Sequence, residues 1–516
     1  MLFRVLTGSS AIKRVAQKPA IFLAEDNWDD WFEFSTLYNC WYRDEFGESH
    51  HIGGVKIGQF GMAAGQRRPT IPSKFSEIPK DCFSIGQDES YYEELSRLAI
   101  LTDVLAGLND IAANLELFEI AKIERVTGLS LLRSISSSTV RGQFHRLAHG
   151  GLRLSKFNFS YIAPSAPDET VPVKLSFQVT PESNPPTNVH VLIGRNGVGK
   201  TTILNNMTQA LMGGEPESHG YFEPRNAAFA NVVSVTFSAF DPFEPLPIAR
   251  DHTDVIQYFY IGLKRRRKPE DLKKNLPNKS HSALAKEFSE SLNICRHGAR
   301  LKRWRKALQM LESDGIFKEA EIAKLAEETI DDFLADSPEE SIKQRALSVF
   351  SRLSSGHKIV LLTITRLVET VEEKTLVLID EPEAHLHPPL LSAFVRALSD
   401  LLVDRNGVAV IATHSPVILQ EVPQKCVWKI RRNNRIVKAE RPLLETFGEN
   451  VGILTHEVFG LEVTRSGFHE LIKLAVSEEY SIEEVLDRFG GELGGEARAI
   501  AQALFTIKSR KNNVED

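Results

Sequence analysis

Residues 189 to 193 read VHVLI, a mostly apolar run of strand length, and they lead without a break into GRNGVGKT, Gly194 to Thr201. A buried strand that empties into a glycine-rich loop and then a helix matches the GxxxxGK[ST] pattern. Each residue type has a reason. Glycines let backbone N–H groups wrap around an anion, and the helix start adds its dipole. Gly194, Gly197 and Gly199 form that wrap, with Asn196 and Thr202 in the same cradle. Lys200 reaches the β and γ phosphates, and the Thr201 hydroxyl is placed to hold Mg²⁺. Alone, this motif says that a nucleotide is held and no more.

Three further stretches share its logic. TLVLIDE is a short apolar run ending in Asp380 and Glu381, of the kind buried in a parallel sheet. A carboxylate at such a strand end meets the need for a metal ligand, and a second one beside it can orient or deprotonate an attacking water. Asp380 is therefore the metal-side residue and Glu381 the candidate base. His414 follows another apolar run, GVAVIATHS, where a neutral imidazole can hydrogen-bond a γ phosphate. LSSGHK, 353 to 358, opens a helical pattern with Ser354, Ser355 and Gly356 at its start, which looks like a second anion cradle.

The chain has 516 residues, enough for two or three domains, and its 42% hydrophobic and 25% charged residues are those of a folded soluble protein. No apolar run has membrane-spanning length. The N-terminus carries basic residues and no acid before Glu25, but it lacks a secretion signal's apolar core and reads as a first strand with a basic loop. Cys40, Cys82, Cys295 and Cys426 are scattered, with no CxxC pair, which argues for a reducing compartment and a cytoplasmic protein. Aromatic and β-branched alternation over 31 to 62 predicts a β-hairpin around EFGES, and helical spacing follows from Tyr91 to Ile135.

Taken in order, GRNGVGKT, LSSGHK, LVLIDEPEAHLHP and ATHSP resemble the motifs of the ABC-type ATPases. The resemblance implies an α/β fold: an ABC-type head with a mixed sheet around the phosphate loop, an antiparallel β lobe and a helical insertion. It implies the cofactors ATP and Mg²⁺. In that family two heads meet head to tail, so Ser354 and Gly356 would contact the γ phosphate held by the other subunit, making the protein a homodimer or larger. The boundaries read as an N-terminal α+β region over 1–148, the head over 149–424 with its insertion at about 245–350, and a hairpin and helical tail over 425–516.

DEPEAHLHP, with Glu383, His385 and His387, is similar to the branch holding the OLD, RecF and SMC-type ATPases. The two histidines suggest a metal, but that family's use of the loop argues against one. No heptads separate Lys200 from Leu353, which excludes a rod, and no DxD follows His414, which excludes a Toprim nuclease. The remaining resemblance is to Septu-type and retron-linked ATPase subunits, which act with a separate HNH nuclease in anti-phage defence. Such a partner is expected here. One departure stands out: SVTFSAFDPFE lacks the glutamine that this superfamily uses at the metal, Asn231 comes too early, and Ser238 or Asp241 is expected in its place.

Between Lys264 and Lys306 stand fifteen Lys or Arg against four acids, although the whole chain is −6. This segment could bind nucleic acid, with Trp304 stacking on bases, or present a solvated helical face or a dock for an acidic partner. A DNA-repair or recombination ATPase is thus the rival function. His145 and His149 share i, i+4 spacing without the glutamate of a zinc-protease motif, and a structural role is expected.

Overall fold

In a computed structural model of the chain, the described residues are 1–8, 19–26, 33–62, 65–133, 135–151, 154–164, 172–224, 229–238, 243–247, 256–267, 277–296, 298–326, 338–433, 436–460, 467–479 and 481–515. Among them, strands β1 (Phe3–Leu6), β2 (Ala20–Glu25), β3 (Leu37–Arg43), β4 (Ser49–Gln59), β5 (Lys74–Phe75) and β6 (Cys82–Gly86) form one sheet in the order β5-β1-β2-β3-β4-β6. The expected hairpin is β3–β4. Its turn is closed by Asp44, whose carboxylate accepts from the N–H groups of Phe46 and Glu48 at 2.9 Å. Helices Glu89–Arg97, Leu101–Gly107 and Leu115–Ala121 pack their apolar sides on this sheet, giving the N-terminal α+β region its own core.

The head is built on a second sheet. Its strands are β9 (Val189–Ile193), β11 (Asn231–Thr236), β12 (Gln257–Gly262), β13 (Leu376–Asp380), β14 (Val408–Thr413), β15 (Val427–Asn433) and β16 (Ile436–Glu440), in the order β12-β11-β13-β14-β9-β15-β16. Every pairing is parallel except the final hairpin. Side-chain alternation splits each strand between two layers. Val189, Val191, Val377, Ile379, Ala409 and Ile411 face a helical layer that includes Ser355–Thr370 and Pro388–Asp404. Leu192, Leu376, Leu378, Val408 and Val410 face the helix Lys200–Leu211 and an antiparallel lobe made of β7 (Phe157–Ile162), β8 (Lys174–Val179) and β10 (Tyr221–Glu223). Both faces are covered, which is why these strands read as continuous apolar runs.

Two parts differ from the sequence expectation. Among the described residues the insertion expected to be helical contains β12, because QYFYIG is aromatic and β-branched enough to extend the sheet beside β11; the first helix described after it is His281–Cys295. The hairpin expected at the start of the C-terminal region is β15–β16, and β15 pairs with β9, so it forms the edge of the head. Beyond it, helices Phe468–Glu478, Ile482–Arg488 and Gly495–Glu515 share a small core around Ile472, Val476, Val485 and Ala501.

The N-terminal region is fastened to the head at the amino ends of the parallel strands. Glu89 is buried between Arg405, just before β14, and Arg303, whose guanidinium is 3.2 Å away. Thr139 donates to Glu372 at 2.8 Å and Arg146 pairs with Glu373, both just before β13. Burial alone would raise the Glu89 carboxyl, but Arg405 and Arg303 outweigh it and lower it from 4.5 to about 2. Removing one member of a buried charge set leaves the others unpaired. Glu89→Ala should therefore lose about 3–5 kcal/mol of stability in urea unfolding. Because the folded-state value is depressed, the wild-type contribution is complete above the ordinary carboxylate range and fades as pH falls toward 2; acid unfolding of the variant should show a weaker pH dependence across that window.

Candidate functional site

The parallel strands end together, and the polar residues at their carboxyl ends gather there. After β9 the chain turns through Gly197 (φ 77°) and Gly199 (φ 97°), a left-handed backbone that L side chains rarely adopt, and enters the helix Lys200–Leu211. Gly194 is buried beside β15, Asn196 is exposed at the loop tip, and Thr202 is exposed on the first turn of the helix. Lys200 is folded inward, donating to the carbonyls of Gly194 at 3.1 Å and Arg195 at 3.2 Å. Burial lowers its pKa, and the charges of Glu381, Asp380 and Glu383 oppose that shift. A lysine held on backbone carbonyls amid three carboxylates is ready to exchange those contacts for phosphate oxygens.

Thr201 and Asp380 are brought together: the hydroxyl donates to the carboxylate at 2.9 Å. An alcohol oxygen and a carboxylate oxygen at this spacing are the hard donors that suit Mg²⁺. Next to them, Glu381 has φ 46° and ψ 56°, a left-handed conformation costly for a non-glycine residue and held by its N–H bond to the Ala412 carbonyl at 2.9 Å. That kink turns its side chain toward His414, whose Nε2 lies 3.2 Å from Glu381 Oε1 and 2.9 Å from Lys200 Nζ. A neutral imidazole nitrogen either donates or accepts, so His414 Nε2 serves the lysine or the glutamate, not both.

Sequence reasoning gave no role in the site to three contributors. Glu383 accepts from the Thr413 hydroxyl at 2.7 Å and the His414 N–H at 2.6 Å, so its carboxylate sets the loop that carries His414. Arg432, on β15, reaches the Gly197 carbonyl at 3.5 Å and lines, with Arg195, Asn196, Glu381 and His414, a cleft of about 920 Å³. Nothing local marks it; only the pairing of β15 with β9 brings it there. Thr236 is level with Asp380 across β11 and β13, and its hydroxyl is buried without a partner among the described residues. Ser238 lies half-buried two residues beyond that strand end, and Asp241 lies outside the described residues.

Ser354, Ser355 and Gly356 do not line that cleft. They begin the helix Ser355–Thr370, with both serines exposed and Gly356 buried against the turn Pro382–His385; a Cβ on Gly356 would sit on the His385 carbonyl oxygen. Ser354 does not cap its helix, because its hydroxyl is 2.6 Å from His357 Nδ1. His357 Nε2 is in turn 3.0 Å from Asp314, which also meets His387 at 3.3 Å. The two histidines read together in the sequence are thus separated: His387 joins this group, and His385 is exposed with its carbonyl against Gly356.

The stacking role raised as one alternative for Trp304 is overturned. Its ring is fully buried under the helical layer, and the indole N–H donates to Thr365 at 3.0 Å. In the described part of the basic segment, Lys279 pairs with Glu287, Lys306 with Asp404 and Arg303 with Glu89, while Lys264 donates to the Phe243 carbonyl. His145 and His149 are bonded to the backbone carbonyls of Ala112 and His145, which is the structural role expected of them. All four cysteines are free and buried.

With this geometry in hand, residues 216–420 match the family model described as "AAA domain, putative AbiEii toxin, Type IV TA system". The chain thus carries an ATPase domain of the AAA family, and the matched span holds Ser354, Asp380, Glu381 and His414, with the phosphate loop just upstream. The chain is 41% identical to protein ea59 of Escherichia phage lambda, over 96% of its own length and 98% of that protein, and it belongs to the ea59 family. Among solved structures, it is similar to the ADP conformation of an ATP-binding cassette of an ABC transporter (13% identity, 61% of this chain, all of that one, TM-score 0.28). It is also similar to a bacterial Atm1-family ABC exporter with ATP bound (14% identity, 64% of this chain, 45% of that one, TM-score 0.24). Overlaps of that size leave the architecture to rest on the strand order itself. Among the described residues, no helix is long and apolar enough to cross a membrane.

Lys200→Ala tests the cradle. Each charge-assisted bond to a phosphate contributes about 1.5–3 kcal/mol, so affinity for a fluorescent ATP analogue should fall at least about tenfold. Because Lys200 is buried and also contacts His414, the thermal midpoint without nucleotide is measured beside it, so that lost affinity is separated from lost stability.

Proposed function

We propose that this chain is a Mg²⁺-dependent ATPase that dimerises head to tail around ATP and uses the closed dimer to control a separate effector. The observation that carries the reading is the Thr201–Asp380 hydrogen bond with Glu381 and His414 beside it, because phosphoryl transfer needs just such a metal-side pair next to a base. Mg²⁺, bound with the triphosphate by Thr201 and Asp380, would neutralise charge on the β and γ oxygens. Lys200 leaves the Gly194 and Arg195 carbonyls for the phosphates. His414 Nε2, relieved of the lysine, then donates to Glu381 or to the γ phosphate. Glu381 orients water and takes its proton, while Arg432 adds positive charge at the mouth of the cleft.

The exposed Ser354 and Ser355 at the start of a 16-residue helix support the cross-subunit part. They are outside their own cleft and exposed, so another subunit's phosphate could reach Ser355 directly and Ser354 once its hydroxyl leaves His357. Triphosphate would hold such an interface and hydrolysis would release it, which makes dimerisation a switch. The resemblance to Septu-type and retron-linked subunits supports an HNH nuclease as the effector and anti-phage defence in a prokaryotic cytoplasm as the setting. A phage-borne relative is compatible with a gene kept to exclude competing phages. Direct action on DNA is the less favoured reading, because Trp304 and several of the basic side chains are spent inside the fold.

Glu381→Gln should bind ATP normally, hydrolyse it about 10²–10⁴-fold more slowly in a phosphate-release assay, and accumulate as a dimer by light scattering. Unchanged turnover would refute the assignment of the base. Ser354→Arg should keep one nucleotide per subunit and lose both dimer and turnover. Turnover stimulated by DNA, with a steep salt dependence, would instead favour the repair reading.

A further inference from the structure

Asp314, His357 and His387 come from three separate places in the chain: the start of the helix Gly315–Glu319, the first turn of Ser355–Thr370, and the residue before Pro388–Asp404. Their side chains converge beside the exposed serines. His357 Nε2 is 3.0 Å from Asp314 Oδ1, His387 Nε2 is 3.3 Å from Asp314 Oδ2, and the three donor atoms lie within 4.8 Å of one another. Two imidazole nitrogens and one carboxylate are a ligand set for a borderline divalent metal of the Zn²⁺ class, with a position left over for water. Mg²⁺, which prefers oxygen donors, is a poor match.

The surroundings have the form of a supported site. A metal-binding histidine usually has its second ring nitrogen fixed by a hydrogen bond, and His357 Nδ1 has the Ser354 hydroxyl at 2.6 Å. The Phe317 ring, 5.2 Å from the imidazole, packs against it, and Asp314 is fixed by the N–H groups of Ile316 and Phe317 at 2.9 and 3.3 Å. His357 and Asp314 are largely buried, while the His387 side chain is 51% exposed, which leaves a route in for an ion. His387 is also the ring able to swing and bring its nitrogen to bonding distance. Its present 3.4 Å contact from the Leu390 N–H would then be given up, because a metal on Nε2 moves the ring proton to Nδ1.

We propose that Asp314, His357 and His387 form a binding site for a divalent transition metal, and that its occupancy sets the direction in which the Ser354 hydroxyl donates. Without metal, the Nε2–H tautomer of His357 donates a hydrogen bond to Asp314, so Nδ1 accepts and the Ser354 O–H is used on the ring. With metal on Nε2, the same proton resides on Nδ1 and is donated to Ser354, whose O–H is then free to point outward. Proton count is unchanged on both rings, and Asp314 exchanges two hydrogen bonds for a metal bond. The second half rests on the proposed reading of Ser354 as a phosphate contact across subunits: a hydroxyl free to donate can bind a γ phosphate, and one engaged with His357 cannot.

The experiment uses the full chain stripped with chelator, free of nucleotide, and titrated with Co²⁺ as a visible-absorption probe and then with Zn²⁺ as competitor. One ion per chain should bind, and His387→Ala should weaken binding about tenfold or more, as should Asp314→Asn, whereas His385→Ala should not. His387 is exposed, so its variant remains informative if the Asp314 change fails to fold. Absence of stoichiometric binding by the wild type, or equal binding by His387→Ala, overturns the site. ATP-dependent dimerisation in excess Mg²⁺ is then compared with and without Zn²⁺. A rise on loading that His387→Ala lacks supports the coupling to Ser354. Binding with no change in dimerisation overturns that coupling while the metal site stands, and dimerisation absent in both states counts against the cross-subunit reading instead.

Discussion

A parallel sheet covered on both faces leaves one place for chemistry. Between the helical layer and the antiparallel lobe, β9, β13 and β14 offer no exposed face, so polar side chains can emerge only where the strands stop. At the carboxyl ends emerge Gly194, Asp380, Glu381 and His414, from three adjacent strands, within hydrogen-bond reach of one another through Lys200 and Thr201. The amino ends are equally polar but differently used: there Glu372, Glu373 and Arg405 anchor the N-terminal region.

Within the site, the groups share too few protons for the contacts available. Lys200 and Glu381 compete for one nitrogen of His414, and Thr201 spends its hydroxyl proton on Asp380. Each of these bonds stands where a phosphate oxygen or a metal would take a better partner. The strained backbone at Glu381 fits the same picture, since such conformations persist where the surroundings over-determine them. Glu383 supplies part of that over-determination by holding the loop that faces Glu381.

Local pattern made much of this legible. VHVLI followed by GRNGVGKT, and TLVLI followed by Asp380 and Glu381, encode strand, turn and charge within a dozen residues each, and the structure joins them as read. The β3–β4 hairpin was legible for the same reason. What escaped depends on distant pairing. CVWKIRRNN looks like any basic hairpin until β15 is set beside β9, and only then does Arg432 reach the phosphate loop. QYFYIG lies within a segment whose sequence pattern is mostly helical, and only its pairing with β11 makes it a strand. Trp304 sits amid lysines and arginines, yet its helix turns it inward together with Ala307, Leu308 and Leu311, a matter of phase that composition hides. Asp314 has no motif around it at all; it matters because of the two histidines that other helices bring to it.

The fastening of Glu89 between Arg303 and Arg405 has a mechanical meaning. Arg405 immediately precedes β14, the strand whose far end carries His414, and the ties to Glu372 and Glu373 immediately precede β13, the strand that carries Asp380. Hydrogen-bonded strands resist stretch along their length, so the two ends of β13 and β14 travel as one. The N-terminal region is then a handle fixed, through its helices, to the two strands that end in Asp380 and His414, and a tilt of the head would be carried to it far from the cleft.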